Sequence, residues 1–90
     1  MIRSYRDAEA RCLMERRASL KKNVERTALI RLRFLNAATS LSDLRLPGLH
    51  LEPLKADRKG QYSIRVNDRY RICFEWRDGD AYNVEIVDYH

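Results

Sequence analysis

Between Gly60 and Tyr89 the apolar side chains fall on every second residue, and two polar dipeptides cut this run into three. Tyr62, Ile64 and Val66 alternate with Ser63 and Arg65. Tyr70, Ile72, Phe74 and Trp76 alternate with Arg71, Cys73 and Glu75. Tyr82, Val84 and Ile86 alternate with Asn83, Glu85 and Val87. A period of two is the signature of strands. Asn67-Asp68 and Asp78-Gly79 are too short to cross over a sheet, so the strands run antiparallel, with Asp78-Gly79 the stronger hairpin signal. The expectation is a three-stranded meander whose apolar face carries Tyr62, Ile64, Val66, Tyr70, Ile72, Phe74, Trp76, Tyr82, Val84 and Ile86. Trp76 and Tyr82 read as core. The other face collects Arg65, Arg69, Arg71, Glu75, Asn83, Glu85 and Tyr89. Arg–Glu pairing across the strands accounts for part of that set and leaves an excess of cations.

A sheet with one apolar face needs a cover, and the first half of the chain supplies it. Met1–Tyr5 fits a short first strand. Asp7 is placed to cap a helix running to about Arg17, with Ala10, Leu13 and Met14 on one side. Ser19–Asn23 reads as a break. Val24, Ala28, Leu32 and Leu35 then form a helical stripe over Val24–Ala38, widened by Ile30, Phe34, Ala37 and Ala38, with Arg26, Arg31 and Arg33 at its margins. Leu41–Leu46 fits a short helical turn that Pro47-Gly48 stops. Helices followed by a meander make an α+β fold, and 90 residues make a single domain over 1–90. One core and one surface site fit in that length, and no cofactor domain does.

Eighteen Lys and Arg against thirteen Asp and Glu give a formal charge of +5, which favours an anionic partner. Arginine outnumbers lysine, and its planar fork suits phosphate. Cys12 and Cys73 lack CxxC spacing and read as small apolar fillers in a reducing compartment. His50 and His90 are the only histidines, which excludes a histidine-rich metal site. With no apolar run of membrane-spanning length and no signal-peptide stretch, a cytoplasmic location is expected.

Two segments carry candidate chemistry. At the end of the last strand stand Asp88, Tyr89 and His90, groups that can hold or move a proton. About thirty residues earlier lies the basic, turn-rich segment Glu52-Pro53-Leu54-Lys55-Ala56-Asp57-Arg58-Lys59-Gly60. Cations for phosphate oxygens together with acid–base groups are what a nuclease requires. Taken singly, each has a plainer reading: a frayed end for His90, a solvated loop for Lys55, Arg58 and Lys59, and a cross-strand ion pair for Arg71.

The stretch from Leu51 through Arg71-Ile72-Cys73-Phe74, the ending Asn83-Val84-Glu85-Ile86-Val87-Asp88-Tyr89-His90 and the opening Met1-Ile2-Arg3-Ser4-Tyr5 together resemble the HigB-type branch of the RelE/ParE toxin superfamily. The C-terminal half matches closely, the helical half mainly in pattern. The resemblance implies a RelE-like fold, with two N-terminal helices on one face of a curved antiparallel sheet. It implies a toxin that cleaves mRNA in the ribosomal A site and is held inactive by a cognate antitoxin. That antitoxin is expected to be a helix-turn-helix protein, through which alone operator DNA is contacted.

Carried over by position, Lys55 falls at a catalytic-lysine position, Arg71 at the arginine that engages the scissile phosphate, and Asp88, Tyr89 and His90 at the terminal catalytic cluster. Arg58, Lys59, Arg65 and Arg69 are expected to bind RNA. Glu52 departs from the pattern, since some relatives have histidine there. It is a base, an ion-pair partner of Lys55 or a surface acid. Pairing is favoured, because an acid beside many cations stays ionised. The implied reaction is attack of a ribose 2′-OH on the adjacent phosphate, which needs no metal or other cofactor. Two other classes remain: a ParE-like toxin that inhibits gyrase by binding, and an RNA-binding module without chemistry.

Overall fold

The computed structural model describes residues 1–14 and 22–88. Its elements follow one another as helix α1 (Ala8–Met14), helix α2 (Lys22–Ala37), a 3-10 turn at Leu41–Leu44, strand β1 (Glu52–Pro53), a second 3-10 turn at Ala56–Arg58, and strands β2 (Gln61–Arg65), β3 (Tyr70–Arg77) and β4 (Asp80–Asp88). The sheet order is β1-β2-β3-β4, antiparallel throughout. The meander expected from periodicity is therefore present, extended by a fourth strand that was not expected. β1 is two residues long and contains Pro53, which has no N–H to donate and sits where only an edge strand tolerates it.

The Asp78-Gly79 turn has φ of 51° and 81°, the doubly positive geometry that fits a tight hairpin to the strand twist. A Cβ on Gly79 would stand 3.2 Å from the Thr39 carbonyl, so the turn is also pressed close to the chain leaving α2. The β2–β3 turn works differently. Asn67 Oδ1 accepts from the N–H groups of Arg69 (2.9 Å) and Tyr70 (2.8 Å), adding two side-chain bonds to the backbone ones that Val66 and Asn67 N–H donate to the Tyr70 carbonyl.

Asp7 caps α1 as expected, Oδ1 accepting from Ala10 N–H at 2.9 Å, while Oδ2 takes the Ile86 N–H of β4 at 3.0 Å. The expected extension of this helix to Arg17 and the break at Ser19 lie outside the described residues. Along α2, Ala28, Leu32 and Leu35 are fully buried against the sheet, whereas Ile30 and Phe34 remain exposed on its outer side. The core joins these to Ile64, Val66, Ile72, Phe74, Ala81 and Val84, with Leu44 and Leu49 closing one end. Burying one such Leu or Phe side chain contributes about 1.5–3 kcal/mol.

β4 departs from strict alternation. Register runs Cys73↔Glu85 and then Glu75↔Tyr82, a bulge that opposes Asn83 and Val84 to Phe74 alone. Asn83 takes φ 52° there. The extra residue flips the parity of the strand, so Ala81 enters the core and Tyr82 leaves it. Tyr82 lies across from Glu75 under the Arg77 guanidinium, 4.1 Å from its ring centre. The expectation of a core Tyr82 is thus overturned, while Trp76 does pack on the core beside Phe74. The bulge also explains why Met1–Tyr5 makes two isolated parallel bridges to β4, Ile2↔Ala81 and Tyr5↔Val84, instead of a continuous strand. Between them the Asn83 N–H donates to Ser4 Oγ at 2.8 Å. No helix among the described residues is long and apolar enough to cross a membrane.

Candidate active site

The face of the sheet turned away from the helices is built in cross-strand rows. Arg65, Arg71 and Val87 form one row, and Ser63, Cys73 and Glu85 the next. This face has a buried floor, since Ser63 and Cys73 are both inaccessible to solvent. The segment entering β1 crosses beside it. Arg65 N–H donates to the Leu49 carbonyl at 2.6 Å, and Leu49 itself is buried.

Arg71 stands on this floor with only 11% of its side chain exposed. Its Nε donates to Ser63 Oγ at 2.8 Å, and its Nη2 to the His50 carbonyl at 2.6 Å. A longer contact from Nη2 reaches the Ser63 carbonyl at 3.4 Å. His50 is held at φ 46°, a left-handed conformation uncommon outside glycine, in the turn that offers its carbonyl to Arg71. Glu52 Oε2 is 3.9 Å from Nη2 and largely exposed. The structure therefore sets Glu52 loosely beside Arg71, whereas the ion pair expected from sequence was with Lys55. Arg71 lies on the side expected, opposite in parity to Tyr70 and Ile72, yet it is far less exposed than an outward strand arginine would be.

Lys55 is exposed and immediately precedes the 3-10 turn Ala56–Arg58. Arg58 N–H donates back to the Lys55 carbonyl at 3.1 Å, and Leu54 N–H to the Gln61 carbonyl at 2.8 Å. Ala56 has φ 56°, so this loop holds a strained residue beside Lys55. Arg58 reaches across to β4, donating to Glu85 Oε2 at 2.8 Å, and Arg6 Nη1 approaches the same oxygen at 3.5 Å. Burial opposes the charge on Arg58, but Glu85 and Cys73 together more than offset it and raise its pKa. Beneath this pair burial pushes the Cys73 thiol up, with Arg58 pulling the other way. Cys73 is closed off from solvent and packs as a small filler under this face.

The remaining basic residues are distributed less tightly. Arg65 pairs with Asp68. Arg69 grips Asp88 through Nε (3.0 and 3.1 Å) and Nη2 (2.9 Å), and this pairing raises its pKa. Lys59 is exposed at the end of the 3-10 turn, and among the described residues neither it nor Lys55 has an ion pair. Asp88 is opposite Tyr70 in register, so it has the parity of the helix-covered face and not that of Arg71. Tyr89 and His90 lie outside the described residues. The structure thus brings Arg71, Glu52 and the His50 carbonyl together, ties Arg58 to Glu85, and sets Asp88 with Arg69. Ser63 was missed from sequence: a small polar residue on an outward strand position carries no signal of being buried.

A short helical layer on a four-stranded antiparallel sheet, with one face of that sheet floored and rich in arginine, is the architecture of a RelE-type toxin. The fold is shared with YafQ from E. coli. A crystal structure of a YafQ mutant aligns with a TM-score of 0.56 and 16% identity, covering 98% of this chain and 93% of that one. A second YafQ structure gives 0.54 and 15% at the same coverage. Residues 5–90 match the family described as the RelE-like toxin of type II toxin-antitoxin system HigB. Toxin HigB-1 of Vibrio cholerae is 41% identical over 70 residues, 77% of this chain and 74% of the relative. Endoribonuclease HigB of Proteus vulgaris is 34% identical over 92 residues, covering both chains completely. The chain belongs to the HigB-like family of type II toxins.

Proposed function

We propose that this toxin is an endoribonuclease that cuts mRNA on the ribosome, by attack of a ribose 2′-OH on the adjacent phosphate to leave a 2′,3′-cyclic phosphate and a 5′-hydroxyl. The observation that carries the reading is Arg71, a guanidinium oriented by neutral acceptors on a floored face of the sheet. Its charge is left to meet the one that builds on the phosphoryl oxygens, and because it is already oriented it stabilises the transition state without reorganising. Full-length similarity to an endoribonuclease of the same family supports the same chemistry.

In this reading Lys55 supplies a second cation to the phosphate. Tyr89 and His90 supply the proton-transfer groups, Asp88 stays bound to Arg69 at the end of β4, and Glu52 tunes Arg71 from its exposed side. Lys59, unpaired among the described residues, attracts the RNA backbone, whereas Arg58, Arg65 and Arg69 are each held by a carboxylate and contribute less to it. A domain with one small basic face does not by itself orient a flexible mRNA, which assigns that task to the ribosome. Expression without an antitoxin should arrest growth and yield 5′-hydroxyl fragments of translated mRNA, while the purified protein leaves naked RNA nearly intact. His90→Ala and Tyr89→Ala should each abolish fragments and still bind antitoxin. Gyrase inhibition, or RNA binding with no new 5′-hydroxyl ends, would overturn the proposal.

Membership of a type II toxin family implies an antitoxin partner. For its docking, the outer side of α2 offers exposed Ile30 and Phe34, one turn apart, beside exposed Arg26 and Arg33. This pattern suits an acidic amphipathic segment. Ile30→Glu with Phe34→Glu should weaken antitoxin capture and leave cleavage unchanged. Undiminished capture would place the antitoxin elsewhere.

A further inference from the structure

We propose that Ser63 is a positioning residue for Arg71, fixing which edge of the guanidinium meets the scissile phosphate; this rests on the nuclease reading of Arg71. Ser63 is the buried polar side chain among the described residues, fully closed off in the middle of the sheet. A buried hydroxyl is costly unless it is bonded, and the bond it makes is to Arg71 Nε at 2.8 Å. The His50 carbonyl takes Nη2 at 2.6 Å. Two of the three guanidinium nitrogens are thereby committed to neutral acceptors. Nη1 makes no hydrogen bond among the described residues, so it is the nitrogen left to face an incoming oxygen.

The neutrality of the clamp matters. A carboxylate in place of Ser63 would also hold the side chain, but it would cancel the charge that the phosphate needs. The pleat explains why position 63 does this work. Ser63 pairs with Cys73, one outward position along from Arg71, so the Arg71 side chain has only to lie back along β3 to reach it. Alanine at 63 would leave Nε without a partner and free the side chain to swing about its long stem. Such loss of orientation is worth up to about 10²-fold in rate for roughly 1 Å of misplacement.

The test combines Ser63→Ala, Ser63→Cys (slightly larger, and a weak acceptor) and Arg71→Ala, with each of the two Ser63 substitutions also joined to Arg71→Ala in a double variant. Single-turnover cleavage of ribosome-bound mRNA should fall between about 10- and 100-fold for both Ser63 variants, with half-saturation unchanged. The same Ser63 substitutions should cause no further fall in an Arg71→Ala background, because their effect passes through Arg71. A fall of equal size in both backgrounds would make Ser63 merely structural, and wild-type rates in a folded Ser63→Cys would overturn the proposal outright. Nuclear magnetic resonance reads the geometry without relying on activity. The Arg71 Nε–Hε resonance should exchange slowly with water in the wild type and rapidly in either Ser63 variant. Fast exchange in the wild type overturns the positioning role. Absence of 5′-hydroxyl fragments from the wild type instead overturns the nuclease reading, so the two failures are told apart.

Discussion

Arg69, the last residue of the turn before β3, and Arg71, the second residue of β3, are two positions apart, and the protein treats them oppositely. Arg69 is 56% exposed and chelates a carboxylate, Asp88, through two nitrogens. Arg71 is 11% exposed and rests on a hydroxyl and a backbone carbonyl, with Glu52 no nearer than 3.9 Å. A cation bonded to a carboxylate is locally neutral, and RNA gains little by approaching it. A cation bonded to neutral acceptors keeps its full charge and loses only its freedom to move. Arg58 with Glu85 and Arg65 with Asp68 follow the Arg69 pattern. Net charge therefore says little about where phosphate goes: what singles out Arg71 is the kind of partner that holds it.

The largest predicted effect separates these two arginines. Arg71→Ala should lower cleavage about 10²–10³-fold, the usual cost of one preorganised donor to a developing anion. It should also destabilise the fold by about 1–3 kcal/mol, because the buried Ser63 Oγ loses its donor, while the exposed His50 carbonyl turns to water. An outward strand arginine in an exposed pair would cost at most about 1 kcal/mol. Arg71→Lys keeps the charge but loses the Nε donor and should fall between wild type and Arg71→Ala in rate. Arg69→Ala should leave the thermal midpoint unmoved and cleavage nearly intact. Equal losses of rate for Arg69→Ala and Arg71→Ala would erase the distinction.

The same contrast marks the limit of what sequence conveys. Period-two alternation placed β2, β3 and the direction of Arg71, because parity is a local property of the backbone. The Asp78-Gly79 turn and the buried stripe Ala28-Leu32-Leu35 were legible for the same reason. Tyr82 was not, because a bulge inserts one residue of parity with no change in composition. β1 was not, because two residues including a proline make no pattern. Nor was the burial of Arg71, since the cover comes from His50 and its neighbours, about twenty residues away, through a turn with positive φ. Burial is a non-local property that alternation cannot report.

A smaller effect is expected where a cation is tied to an acid in a partly buried place. Arg58→Ala removes the 2.8 Å bond to Glu85 and leaves that carboxylate with Arg6 at 3.5 Å. Glu85 is only 15% exposed, so the loss should cost about 1–2 kcal/mol in thermal unfolding. If Arg58 serves mainly to tie the Lys55 loop to β4, Arg58→Ala and Glu85→Gln should lower cleavage by similar factors and combine less than additively. A large loss confined to Arg58→Ala would instead make it a direct contact to RNA, and Arg58 would join Arg71 on the side of available cations.

The smallest effect tests how Lys55 is held. Arg71 is fixed by bonds to its side chain, whereas Lys55 is fixed through its backbone, one residue before an alanine at φ 56°. Left-handed geometry costs a non-glycine residue about 1–2 kcal/mol, and replacing alanine by glycine loosens the unfolded chain by about 0.5–1 kcal/mol in the opposite sense. Ala56→Gly should therefore stabilise the fold slightly, by about 0–1 kcal/mol, seen as a small rise in thermal midpoint. Its effect on cleavage should run the other way. Glycine lets the loop sample other conformations, so Lys55 is presented less often to the phosphate, and the rate should fall several-fold while antitoxin binding is unchanged. A variant at once more stable and less active is the mark of a residue whose strain serves the site. If Ala56→Gly is more stable and fully active, the loop conformation is incidental, and Arg71 alone carries the preorganised charge.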